Sequence, residues 1–74
     1  MTRLPRVSGK DVVRALKRAG FRVSHIRGSH HYLRRSGGNL VTVPVHTDEI
    51  LDLKTLKSIL ERAGLTIEEL IDLL

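Results

Sequence analysis

Two glycine-marked turns constrain this chain more than any other feature of it. Gly28-Ser29 and Ser36-Gly37-Gly38-Asn39 divide residues 21–45 into three stretches of six or seven residues. That is the length of a strand and shorter than most helices. Each stretch is patterned at a period of two. In residues 30–35 the alternation separates His30, Tyr32 and Arg34 from His31, Leu33 and Arg35. In residues 40–45 it separates Val41, Val43 and Val45 from Leu40 and Thr42. In residues 21–27 it separates Phe21, Val23 and His25 from Arg22 and Ser24. Ile26 breaks that pattern, so a twist or bulge is expected just before Gly28. Pro44 has no N–H for a ladder and belongs near the end of an edge strand. Gly28 permits a positive φ, or the close approach of another group. The centre of the chain therefore reads as a three-stranded meander.

The flanks switch to helical spacing. Ser8 with Asp11 makes a Ser-x-x-Asp cap; Val12, Val13, Leu16 and Ala19 then share one face, with Lys10, Arg14, Lys17 and Arg18 opposite. Gly20 stands where a helix ends. Residues 8–19 are expected to form an amphipathic helix after a frayed basic lead-in, residues 1–7, which Pro5 keeps out of the helix. A polar loop, residues 45–52, carries His46. Asp52 then caps a helix with Leu53, Leu56, Ile59, Leu60 and Ala63 as its apolar stripe and Gly64 as its stop. Thr66 with Glu69 caps a short last helix that turns Ile67, Leu70, Ile71 and Leu74 inward. The order α-β-β-β-α-α predicts an α+β fold: a three-stranded antiparallel sheet with helices packed on one face and the other face open. Leu33 and the valine row should face the helices together with His31. His30, Tyr32 and Arg34 would then lie on the open side, unless a one-residue slip reverses the assignment.

Charge is divided along the chain. Residues 1–36 hold ten Lys or Arg against Asp11 alone, and residues 37–74 hold three against seven Asp or Glu, within a net charge of +5. A basic half suggests a polyanionic partner, and its alternative is a solvated surface. With 74 residues, one domain is expected, with a core that buries little more than half of the unfolded surface. The absence of Cys excludes disulfides and thiolate metal sites and fits a reducing cytoplasm. No apolar run reaches the ~20 residues of a membrane span, and the first ten residues lack the apolar core of a signal peptide.

The chemistry concentrates in Arg27-Gly28-Ser29-His30-His31-Tyr32. Four histidines (His25, His30, His31, His46) raise the question of a metal. However, adjacent His30 and His31 point to opposite sides of a strand, no helical His-x-x-x-His pair exists, and no carboxylate neighbours the motif, so no metal is expected. General acid–base work suits an imidazole better. RNA carries its own nucleophile, the 2′-hydroxyl, and a histidine among cations can cleave it. Arg27, Arg34 and Arg35 are near enough in sequence to supply charge, and backbone N–H groups around Gly28 can hold a phosphate oxygen. The proton of the leaving oxygen can come from His30 in turn, from Tyr32, from another histidine or from water. The alternative is a turn histidine in an RNA-binding module that does no catalysis. Lys10, Arg14, Lys17 and Arg18 can bind phosphates or an acidic partner, and Lys17 and Arg18 also complement the helix dipole. Tyr32 can stack on a base or simply pack; His46 can shape its loop or take part in the chemistry.

Val7-Ser8-Gly9-Lys10, Ala19-Gly20-Phe21, Arg27-Gly28-Ser29-His30, Thr42-Val43-Pro44-Val45-His46, Thr55-Leu56-Lys57-Ser58-Ile59-Leu60 and Ala63-Gly64-Leu65 follow one another in that order. In them, over about residues 7–74, the chain resembles the HicA toxins, small messenger-RNA interferases of toxin–antitoxin pairs. The resemblance implies a double-stranded-RNA-binding-domain-like fold and a metal-independent, cofactor-free endoribonuclease that arrests translation in the cytoplasm. It implies that His30, directly after Gly-Ser, is catalytic, that Gly28 and Ser29 support the same site, and that a HicB-type antitoxin covers it. Lys54 departs from the pattern by replacing the usual glycine before Thr-Leu.

Overall fold

The computed structural model describes residues 3–74 and follows the expected order: α1 (Gly9–Arg18), β1 (Arg22–Arg27), β2 (His30–Arg34), β3 (Val41–Pro44), α2 (Leu53–Ala63) and α3 (Ile67–Leu73). Local chemistry sets each helix start. The Ser8 hydroxyl accepts from the Asp11 N–H at 3.2 Å, while the Asp11 carboxylate accepts from the Ser8 N–H at 3.2 Å. Thr66 and Glu69 repeat this box at 3.1 and 2.9 Å. Asp52 accepts from the N–H groups of Lys54 and Thr55 at 3.1 and 3.4 Å. Each box satisfies two N–H groups left free at a helix start.

The sheet is antiparallel throughout, in the order β1-β2-β3. Leu33, Val41 and Val43 are buried and share one core with Val12, Leu16, Leu56, Leu60 and Leu70. The helices therefore cover the face expected, and β3, which carries Pro44, lies at an edge.

Several expectations change. The lead-in is anchored rather than frayed. Val7 is buried, Leu4 packs on the core, and the Val7 carbonyl accepts from the Leu51 N–H at 2.8 Å; Met1 and Thr2 lie outside the described residues. Leu53 is exposed, because α2 packs through Leu56, Ile59, Leu60 and Ala63. In α3, Leu70 is buried and Ile67 and Leu73 lie partly on the core, whereas Ile71 and Leu74 are exposed. Arg35 follows the alternation to the helix side, which removes it from the cations near His30. Its guanidinium lies 4.8 Å over the Phe21 ring and donates to the carbonyls of Ala19 (3.4 Å) and Ala63 (3.5 Å). It thus joins the C-terminal ends of α1 and α2, where helix dipoles favour a cation.

The bulge falls earlier than expected. Val23 pairs with Leu33 but His25 pairs with Tyr32, so the extra residue is Ser24. His25 is thereby turned to the open face and not to the helix side with Phe21 and Val23.

Candidate active site

The Gly28-Ser29 loop is the two-residue connection between β1 and β2, closed by the pair Arg27–His30. Gly28 has φ +55° and Ser29 does not have a positive φ, the pattern of a type II′ turn, which takes glycine first. A methyl group at Gly28 meets nothing within 4 Å, so its requirement is conformational and not steric. Gly28→Ala is therefore expected to lower stability by about 1–2 kcal/mol, a fall in Tm of about 4–16 °C. A thermal melt unchanged from the parent would show that the turn does not need glycine.

Ser29 contributes its backbone: its carbonyl accepts from the Val45 N–H at 2.7 Å and ties the turn to the end of β3. His30 is exposed at the first position of β2, with Arg27 directly across and Pro44 on its other side. Directly opposed side chains in such a ladder have Cβ atoms about 4.5–5.5 Å apart and point the same way. Arg27 is therefore placed to put positive charge beside the His30 imidazole. Tyr32 lies on the same face, about 7 Å further along the strand.

The end of β3 also meets the start of α1. A Cβ on buried Gly9 would overlap the Pro44 carbonyl oxygen and stand 3.0 Å from the Pro44 carbonyl carbon and 3.1 Å from the Val45 Cα. That contact brings Lys10 to the same end of the molecule. A groove of about 400 Å³ is lined there by Ser8, Lys10, Asp11, Val45, His46, Thr47, Asp48 and Ile50. His46 is exposed in it, and its carbonyl accepts from the Glu49 N–H at 3.2 Å, closing the loop turn. Lys54 is exposed at the second position of α2, where its cation opposes the helix dipole.

The rest of the basic helix is directed elsewhere. α1 buries Val12, Val13, Ala15 and Leu16, so Arg14 and Lys17 point away from the sheet. They also stand about 6 and 10 Å further along the axis than Lys10. Arg18 donates to the Leu73 carbonyl at 2.6 Å and fastens α3.

The open face of the sheet gathers Arg22, Arg34, His25, Tyr32, Thr42, Arg27 and His30. No Asp or Glu occurs between Asp11 and Asp48, so no carboxylate lies on any strand. Sequence reasoning assigned Tyr32, Arg34 and His30 to this face but missed His25; the broken alternation at Ile26 was the available signal. His31 lies on the helix side, paired with Ile26 and Val43, and its Nδ1 is buried without a hydrogen-bond partner among the described residues. Among those residues, no three His, Cys, Asp or Glu side chains are grouped to hold a metal ion, and no helix is long and apolar enough to cross a membrane.

This arrangement sets one exposed imidazole on a fixed turn, beside a cation, at the end of a basic face. It can move protons at a bound phosphodiester. In comparison with known proteins, a family model described as the HicA toxin of bacterial toxin–antitoxin pairs matches residues 9–65. No curated protein matches the chain.

Proposed function

The chain belongs to the HicA family, the toxins of toxin–antitoxin pairs, and from that premise we propose that it is an endoribonuclease that cleaves messenger RNA without a metal ion. His30 supplies one of the two proton transfers. The 2′-hydroxyl loses its proton and attacks the adjacent phosphorus, the bond to the 5′-oxygen breaks, and that oxygen takes up a proton. His30 serves as the base for the first transfer or the acid for the second. Arg27 neutralises charge on the phosphorane, Gly28 and the bond from the Val45 N–H to the Ser29 carbonyl fix the turn that carries His30, and Lys10 and His46 border the site.

The observation that carries this reading is the placement of exposed His30 directly after the Gly28 turn and across from Arg27. The carboxylate-free face suits a polyanion, and it equally suits an acidic surface of a HicB-type antitoxin covering the site. The cytoplasm, where messenger RNA is met, is the compartment this reading requires.

The same basic face also favours a second reading, an RNA-binding module that does not cleave, since phosphate binding needs cations and no histidine. Purified protein freed of its antitoxin, incubated with RNA in excess chelator beside His30→Ala, separates the two. Cleavage by the parent alone supports the nuclease. RNA bound by both and cut by neither supports the module.

A further inference from the structure

Resting on the ribonuclease reading, we propose that the RNA track is the open face of the sheet and not the basic stripe of α1. The stacked pair His25–Tyr32 is its base-stacking platform, so the substrate is a single-stranded segment with an unpaired base on that platform.

Three observations carry this. First, the Ser24 bulge places His25 beside Tyr32 on the open face, with ring centroids 4.3 Å apart and planes 11° from parallel. The Ser24 hydroxyl lies 3.1 Å from His25 Nδ1, so the imidazole is held both by stacking and by a hydrogen bond. A fixed aromatic pair with a solvent-facing side is ready to extend its stack by one base. Second, Arg22 and Arg34 are direct cross-strand partners, both exposed. Like charges opposite one another destabilise a sheet, and no carboxylate on the strands relieves this pair. A bound phosphate would. Third, the features are collinear: the Arg22–Arg34 pair, the His25–Tyr32 stack and the Arg27–His30 pair follow one another along β1 and β2. They span about 13 Å from Arg34 to His30. A strand held at one end by the arginine pair and stacked at the middle therefore delivers a phosphodiester to His30. Double-stranded RNA keeps its bases paired inside and offers the platform nothing to stack.

The test uses single-stranded RNA carrying 2-aminopurine, whose emission is quenched by stacking, with a His30→Ala background so that nothing is cut. Tyr32→Ala, and Tyr32→Leu to keep an apolar body on the strand, are expected to weaken binding about tenfold or more and to abolish the quench. Tyr32→Phe, which restores the ring, recovers most of the loss. The double variant Arg22→Ala/Arg34→Ala weakens binding and flattens its dependence on salt. The proposal is overturned if these sheet variants bind like the background protein, whether or not Arg14→Ala/Lys17→Ala loses binding, or if duplex RNA binds more tightly than single strands. In either case the protein with His30 intact still cleaves if the ribonuclease reading holds. Neither binding nor cleavage by the intact protein would overturn both.

Discussion

Replacing His30 with alanine is expected to reduce RNA cleavage by about 10²–10⁴-fold, the usual contribution of a positioned general acid or base. The loss should be almost entirely in chemistry. His30 is exposed and lies outside the core cluster, and the turn before it is fixed by Gly28 and by the bond from Val45 to Ser29. Strand propensity differences span only ~1 kcal/mol, so the thermal melt should move by no more than about 8 °C. RNA binding should fall little, because the charge of the face comes from Arg22, Arg27 and Arg34. Cleavage within about threefold of the parent would remove His30 from the reaction and direct attention to His46, in the groove it shares with Lys10.

Gly9→Ala should be the most damaging small substitution in the chain. By helix propensity alone the change should stabilise, since glycine is worse than alanine in a helix by up to about 1 kcal/mol. The packing reverses the sign. The added methyl would meet the backbone of Pro44 and Val45, which cannot rotate aside as a side chain can. Overpacking of this kind costs about 1–3 kcal/mol and more where backbone must shift. A domain of this size has only about 4–11 kcal/mol in total. The clash with backbone puts the cost at the upper end, about 2–3 kcal/mol, a fall in Tm of roughly 8–24 °C. Pro44 pairs with His30 and Val45 holds Ser29, so residual folded protein should also cleave poorly. A melt within a few degrees of the parent would mean that α1 does not seat against β3 as described.

What could be read from the sequence, and what could not, divides by the range of the interaction that decides it. Ser8 with Asp11, Asp52, Thr66 with Glu69 and the turn at Gly28 act within three residues, and each was legible. The faces of β2 and β3 were legible because their alternation is unbroken from His30 to Arg35 and from Leu40 to Val45. The Ser24 bulge was not. Its position is a property of how β1 pairs with β2, and the single strand shows only that the alternation fails somewhere, at Ile26. His25 was missed for that reason. Leu53, Ile71 and Leu74 have the spacing of core residues, yet each stays about half exposed, because coverage is decided by the tertiary arrangement. The same holds for Val7, which looks like part of a loose end but is paired with Leu51. Within the candidate site, the turn at Gly28 and the open-face position of His30 were legible. That Arg35 serves the helix ends while Arg27 stands beside His30 depends on the register, which only the fold supplies.

The most direct test of acid–base cleavage through the 2′-hydroxyl is the chemistry of the product ends. Labelled RNA cut by the antitoxin-free protein in excess chelator should carry a 2′,3′-cyclic phosphate, or the monophosphate formed when it opens, on one fragment and a free 5′-hydroxyl on the other. Fragments with a 3′-hydroxyl and a 5′-phosphate would show that water, not the neighbouring 2′-hydroxyl, attacked phosphorus, and would contradict the role given to His30.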